Sequence, residues 1–396
     1  MPKPASNLEI QKTPIKRIKV FGVGKSGINM IERMMKHPVP GGEFIALHSV
    51  AQVLARSSAH KRFLLGRTGR SLSQASQVHS VTEMVSDDLK ALMRGADLVM
   101  IMTGLGGATG TGASVVIARI AQSLQIHSVA IVTKPFDWEG TVRQVVANVS
   151  ADQLACCADS VIEVFGDSVL ELLGDYEIDI DQAIEVLQDA IGDLGAEIVG
   201  IVNAPCVGLG APAMRGPDIG PLSFGDFQAM FRGPNKVLIG AAAGVGPGRA
   251  RTALREALSS PLLEGFALSD AKRILVSITT APGTRRSEEA RVIVEQVRAV
   301  AGHAELKFCT RTDASFDDRL RVTVFGVGLH RHWERPSVEW MTRHRIDRRL
   351  PGAVDDMPVW FTPGCKNLIL TASRTRFQAK QSPHLAHLLE HRPNTR

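Results

Sequence analysis

The 396-residue sequence has few cysteines, Cys156, Cys157, Cys206, Cys309 and Cys365, an odd number with no CxxC spacing. A disulfide framework and a cysteine zinc site are not suggested, and a reducing compartment fits. No apolar run approaches the roughly 18 residues that a membrane helix needs, and no apolar leader opens the chain. A soluble, cytoplasmic protein is expected. Internal repeats are also missing. Nor is the net charge of +6 spread along the chain: residues 330–396 carry 12 Lys/Arg against 6 Asp/Glu, leaving 34 of each in residues 1–329. Within that balanced part, residues 1–19 hold five basic residues and one acid. Basic ends therefore flank a mildly acidic body, which disfavours a specific nucleic-acid-binding body. The ends suit an acidic partner, whether a membrane surface, nucleic acid or a neighbouring subunit, or serve solubility alone.

What is present is a patterned globular chain, 44% hydrophobic and 22% charged, long enough for two domains. Strand-like runs fall at residues 17–22, 43–48, 97–102, 127–133 and 159–164, alternating with helical patterns at 28–36, 87–94, 113–124 and 141–155. Such alternation predicts an α/β fold with a parallel sheet covered on both faces. A longer helix is expected over 181–202, where Ile184, Leu187, Ile191, Leu194 and Ile198 hold one face. Residues 203–221 contain four Gly and four Pro, which ends the helix in a loop. A second, smaller α/β unit follows, with strands at 236–242, 272–279, 304–309 and 319–326 and helices near 249–259 and 287–301. The expected organisation is an arm (1–16), a first α/β domain (17–180), a central helix (181–202), the loop (203–221), a C-terminal domain (222–329) and a basic, largely disordered tail (330–396).

Two glycine loops carry the chemistry. Gly22-Val-Gly24-Lys25-Ser-Gly27 leaves the first strand and enters a helix, an arrangement that exposes backbone N–H groups to a phosphate. A dinucleotide fold would want an acid at the end of the second strand, where His48-Ser49-Val50 stands. A P-loop would need a glycine at residue 19, which is lysine. The second loop, residues 103–113, places five Gly and three Thr in eleven residues between an apolar strand and an apolar helix. Glycine weakens packed elements, so this density argues for amides and hydroxyls wrapped around an anion.

The core of that loop, Gly106-Gly107-Ala108-Thr109-Gly110-Thr111-Gly112, resembles the GGGTGTG signature of the tubulin/FtsZ family. Collinear similarity runs over about 17–329, including IVTKPFDWEG at 131–140, SSPLLE at 259–264 and residues 320–328. The resemblance implies a Rossmann-like GTP-binding domain, a central helix, a smaller α/β domain and head-to-tail filaments. It assigns nucleotide contacts to Gly22, Gly24, Lys25, Gly27, Asn29, Gly106, Gly107, Ala108, Thr109, Gly110, Thr111, Gly112, Glu139, Arg143 and Glu185. Lys25 either offers a cation to phosphate or faces solvent; Glu139 and Arg143 are expected on one helix face. GTP or GDP is the implied ligand, with Mg²⁺ arriving on the nucleotide, since no dedicated carboxylate cage is visible.

Departures from the family are as informative. Gly166 replaces an Asn that reads guanine, and Glu185 falls near an Asp that pairs with the guanine edge. His48 and Val50 replace an Asn and an Asp, and the loop that closes over the terminal phosphate aligns with glycine-free residues 73–78. The catalytic NxDxxD loop aligns with Pro221-Leu-Ser223-Phe-Gly-Asp226, which keeps only Asp226, with Ser223 in place of the first Asp. Asn203 is an alternative occupant of the catalytic Asn position. Losing a water-orienting carboxylate costs on the order of 10²-fold in rate, so weakened or absent hydrolysis is expected. Asp355 to Phe361, in the tail, resembles the family's short tethering peptide for membrane-bound partners, after Arg343, Arg345, Arg348 and Arg349, which suit anionic lipid or plain solvation. Two functions fit: an FtsZ-like GTP-binding filament protein for division or membrane remodelling, or an inactive paralogue that co-assembles with a true FtsZ. An oxidoreductase is disfavoured by the missing ribose acid.

Overall fold

The computed structural model describes residues 15–66, 72–173, 179–203, 222–233, 235–263, 267–284 and 286–329. The arm before residue 15, most of the Gly/Pro-rich loop, Cys206, Cys365 and the tail with its Asp355 to Phe361 peptide lie outside them.

The first half runs β1 (Ile18–Val23), α1 (Gly24–Met34), β2 (Gly42–His48), α2 (Ala51–Ala55), β3 (Lys61–Leu64), α3 (Ala75–Met84), α4 (Ser86–Met93), β4 (Leu98–Gly104), α5 (Ala108–Ser123), β5 (His127–Lys134), α6 (Thr141–Cys157), β6 (Ser160–Phe165) and α7 (Gly166–Leu173). Then come α8 (Ile180–Asn203), α9 (Phe224–Met230), β7 (Asn235–Gly244), α10 (Arg249–Leu258), β8 (Arg273–Thr280), α11 (Ser287–Val300), β9 (Glu305–Thr312) and β10 (Leu320–Leu329). One sheet holds ten strands in the order β3-β2-β1-β4-β5-β6-β7-β10-β8-β9. Strands β4 and β5 are buried almost throughout, as expected for parallel strands covered on both faces.

The parallel expectation holds from β3 to β7 and for β8 with β9, but β10 runs antiparallel to both β7 and β8. The cause is connectivity: β10 enters from the short turn after β9 instead of through a crossover helix. The seam between the halves is short, with Ser160, Val161 and Ile162 of β6 pairing with Asn235, Lys236 and Val237 of β7.

Helix α8 sits tightly on α1 because small residues face it. A side-chain carbon at Gly192 would lie 2.8 Å from Arg33 Cβ, and one at Gly195 would lie 2.9 Å from Met34 Sδ. The predicted stripe is inside: Leu187, Ile191, Leu194 and Ile198 are buried, and Ile184 packs against the same core. At its far end α8 is tied to the second half, where Thr323 donates to Glu197 at 2.9 Å. This packing fixes the N-terminal half of α8 as a wall beside the strand ends of the first sheet half.

Candidate nucleotide-binding site

In a parallel sheet, a crevice opens where neighbouring strands send their connections to opposite sides. Here β1 pairs with both β2 and β4. A cavity of about 830 Å³ lies at the carboxyl ends of these strands, with Val23, His48, Gly104 and Lys134 on its wall.

Two helices begin at this cavity. Gly24, Lys25 and Ser26 open α1, while Ala108, Thr109 and Gly110, preceded by Gly107, open α5. Neither N-terminus has a side-chain cap, so their first-turn N–H groups remain for an anion, aided by the dipoles. Gly24 adopts φ +74°, the left-handed turn needed to leave the strand. Thr109 is buried beneath the loop, with Oγ1 3.2 Å from Ser49 Oγ.

Of the residues assigned from sequence, Gly24, Lys25, Asn29, Gly107, Ala108, Thr109, Gly110, Glu139, Arg143 and Glu185 share this cavity. Gly22, Gly27, Gly106, Thr111 and Gly112 do not line it. Packing accounts for two of these glycines: an added carbon would sit 2.1 Å from Met102 O at Gly27 and 2.2 Å from Ala75 O at Gly112. Thr111 braces the loop from behind, its Oγ1 accepting from the Gly106 N–H at 3.0 Å. The stretch aligned with the phosphate-closing loop, residues 73–78, instead enters α3.

Glu139 and Arg143 meet at 2.5 Å, but not on one helix. Glu139 ends a 3-10 turn, Asp137–Glu139, and Arg143 lies in the first turn of α6, with Gly140 at φ +96° between them. Glu139 also accepts from the Phe136 N–H at 3.0 Å. Gly166 is where the Phe136 ring sits: an added carbon there would lie 2.6 Å from the ring. A side chain at that position has no room.

Several wall residues were absent from the sequence assignment. Lys134, 7% exposed, places Nζ 2.9 Å from Glu163 Oε2 and donates to Asn148 at 2.6 Å. Glu163 also faces Lys236 of β7 at 2.9 Å, and Lys236 pairs with Asp152 at 2.7 Å. Burial alone would raise the Glu163 carboxyl, but the two ammoniums outweigh it and hold it at about 2. The cations differ: burial prevails at Lys134 and pushes it below the usual ammonium range, whereas Glu163 and Asp152 together raise Lys236. His48 accepts from the Val50 N–H on Nδ1 at 2.9 Å, which leaves the neutral ring's proton on Nε2; burial pushes its pKa down. Asp181, Ile184, Leu187 and Gln188 of α8 also line the cavity. The available signal was position, since charged or amide residues stand among apolar ones at strand ends and along α8.

The degenerate catalytic loop lies elsewhere. Ser223 caps α9, its Oγ accepting from the Asp226 N–H at 3.0 Å, while Asp226 Oδ2 accepts from the Ser223 N–H at 2.9 Å and Oγ–H at 2.6 Å. The Ser223 hydroxyl, with Lys307 3.5 Å away, holds the Asp226 carboxyl below its ordinary range. Asn203 at the end of α8 spends its amide on the Lys16 N–H and the Pro40 carbonyl, both at 2.7 Å. Among the described residues no group of three or more His, Cys, Asp or Glu is placed to hold a metal ion, and no helix is long and apolar enough to cross a membrane.

Uncapped helix starts around a strand-end crevice, joined to a second unit through one sheet, define a doubly wound α/β architecture suited to an anionic ligand. Residues 17–173 match the tubulin/FtsZ family GTPase domain, and residues 233–330 match the FtsZ family C-terminal domain. The cell division protein FtsZ of Neisseria meningitidis is 33% identical over 341 residues, 84% of this chain and 83% of that protein. FtsZ of Pseudomonas aeruginosa is 33% identical over 330 residues, covering 81% and 79%. A solved empty FtsZ dimer from M. jannaschii superimposes with a TM-score of 0.72 at 26% identity, covering 81% of this chain and 90% of that one. The chain belongs to the FtsZ family.

Proposed function

We propose that this chain binds GTP or GDP in the strand-end cavity and assembles head to tail, with itself or with another FtsZ, in cell division or membrane remodelling. The observation that carries the reading is the pair of uncapped helix starts, at Gly24 and Ala108, on one cavity with Glu185 on its far wall. Mg²⁺ would arrive with the triphosphate. The basic tail and its Asp355 to Phe361 peptide are proposed to recruit the filament to the membrane.

Hydrolysis is proposed to be slow or absent. Catalysis here needs a water oriented in line with the terminal phosphate, and a neighbouring copy must deliver the orienting groups. Asp226 serves as a cap for its own helix, paired with Lys307, and its lowered pKa makes it a poor base. That same observation favours a second reading, an inactive paralogue that co-assembles with or regulates an active FtsZ.

Pelleting with GTP, followed by electron microscopy and phosphate release, tests both. Filaments with release on the order of 10²-fold below an active FtsZ support slow hydrolysis. Filaments only on mixing with an active FtsZ support the second reading. Rapid release by the chain alone refutes the account of Asp226.

A further inference from the structure

One residue on the cavity wall, largely buried, has a side-chain amide with no hydrogen bond to another described residue. Gln188 is 5% exposed and lines the cavity from α8, yet no hydrogen bond joins its side chain to any described residue. Its amide atoms are not among the fully enclosed, unpartnered ones, so they keep contact with the cavity space, and a donor that faces a cavity without a protein partner is available to a ligand that arrives from outside.

Its neighbour defines the partner. Glu185 lies three residues earlier on the same helix, and both side chains meet the cavity. The carboxylate of Glu185 is largely uncommitted: Arg33 Nη2 stands 3.7 Å from it, while Arg33 spends its close contacts, 2.8 and 3.0 Å, on Asp189. A carboxylate can accept from N–H groups but cannot satisfy an acceptor. Guanine presents both kinds of group on one edge, with N1–H and N2–H₂ as donors and O6 as an acceptor beside them. Adenine presents N1 as a lone pair, which a carboxylate repels. Glu185 therefore needs a nearby donor to complete the guanine edge, and the Gln188 amide is a donor without another use.

We infer that Gln188 is a specificity-determining residue, its side-chain N–H donating to guanine O6 while Glu185 accepts from N1–H and N2–H₂. This rests on the nucleotide-binding reading above. It accounts for base selection although the ring of Phe136 fills the space beside Gly166.

The test measures affinities of the full chain for GTP, 6-thio-GTP and ATP by titration calorimetry, in the wild type, Gln188→Leu and Gln188→Glu. The wild type should prefer GTP over 6-thio-GTP, whose sulfur is the weaker acceptor, and over ATP. Gln188→Leu, which keeps about the same size and removes the donor, should lose about tenfold or more for GTP and bind 6-thio-GTP almost as well as GTP. Gln188→Glu should fall further, because it sets a second carboxylate against O6. Unfolding midpoints confirm that each variant is folded, and if Gln188→Leu does not fold, the ratio in Gln188→Glu decides. Wild-type GTP binding with an unchanged GTP to 6-thio-GTP ratio in the variants overturns this inference alone. Failure of the wild type to bind any of the three nucleotides overturns the nucleotide reading and this inference with it.

Discussion

Replacing Glu163 by glutamine should show what the buried ion cluster contributes, because the change keeps the side chain's shape and removes only its charge. Glu163 is 2% exposed and stands between Lys134, on the cavity wall, and Lys236, across the β6–β7 seam. Its carboxyl falls from 4.5 to about 2 in the fold, which corresponds to about 3 kcal/mol at 1.36 kcal/mol per unit. The folded pKa lies below the unfolded one, so this stability is present above pH 4.5 and is lost as the pH falls from 4.5 to about 2. Glu163→Gln leaves the buried Lys134 ammonium without its carboxylate while Lys236 keeps Asp152, and breaking a buried pair of this kind typically costs about 3–5 kcal/mol. Lys134, already pushed down by burial, can shed its proton in the variant, so the lower end is expected. Urea unfolding at a series of pH values provides the measurement. The variant should be about 3 kcal/mol less stable at pH 7, and the gap should narrow below pH 4.5. A gap under about 1 kcal/mol at pH 7, or one that does not change with pH, would refute the assignment of Glu163 as a depressed, doubly paired carboxylate.

Three further outcomes follow from the same geometry. Gly107→Ala adds a methyl where nothing lies within 4 Å, whereas Gly110→Ala drives one to 2.3 Å from Gly104 O. Thermal melts should find the first variant as stable as wild type and the second well below it, while GTP titration should find both weakened. His48 has a pKa held below 6.5 by burial, so its neutral form contributes stability in full above pH 6.5 and less as the pH drops below it. His48→Asn should flatten melting temperature against pH in that range, and an unaltered slope would count against a buried neutral imidazole. Deleting residues 330–396 should leave GTP affinity unchanged and abolish localisation in cells; loss of nucleotide binding would show that the tail does more than recruit.

Most strand positions were legible because β1, β4, β5 and β6 are apolar runs bounded by glycine or turn residues, and parallel burial demands that composition. Strand β3 was not, since Lys61, Arg62 and Leu64 of its four residues are exposed on the sheet edge and carry no alternation. Helix α9 was hidden for a related reason: it is only seven residues long, and its start signal, Ser223 with Asp226 three positions on, was occupied by the catalytic reading of the same two residues. The pairing of Glu163 with Lys236 had a local trace, a charged residue inside an otherwise apolar strand. Its partner sits at the start of β7, beyond α8 and α9, and sequence has no measure of that contact.

The glycine loops show why a motif can be recognised correctly while its residues divide by use. A strand-to-helix turn that cradles an anion must bring the helix start close to the strand it just left, because the field of a helix N-terminus falls off within its first turn. That closeness has its own steric requirement, which Gly110 meets against Gly104 O, while Gly27 and Gly112 pack against neighbouring elements, Met102 O of β4 and Ala75 O of α3. Gly107 meets no such neighbour, and Gly24 combines positive φ with a place on the cavity wall. Ligand-facing and packing glycines are therefore both obligatory for the same anion site, but a substitution separates them: at a packing position binding and folding fail together, and at an open position binding fails alone. The same reasoning explains why Gln188 escaped notice. It has no motif around it, and its significance comes from its place on a cavity wall without a protein partner, which does not exist until α8 is packed against α1.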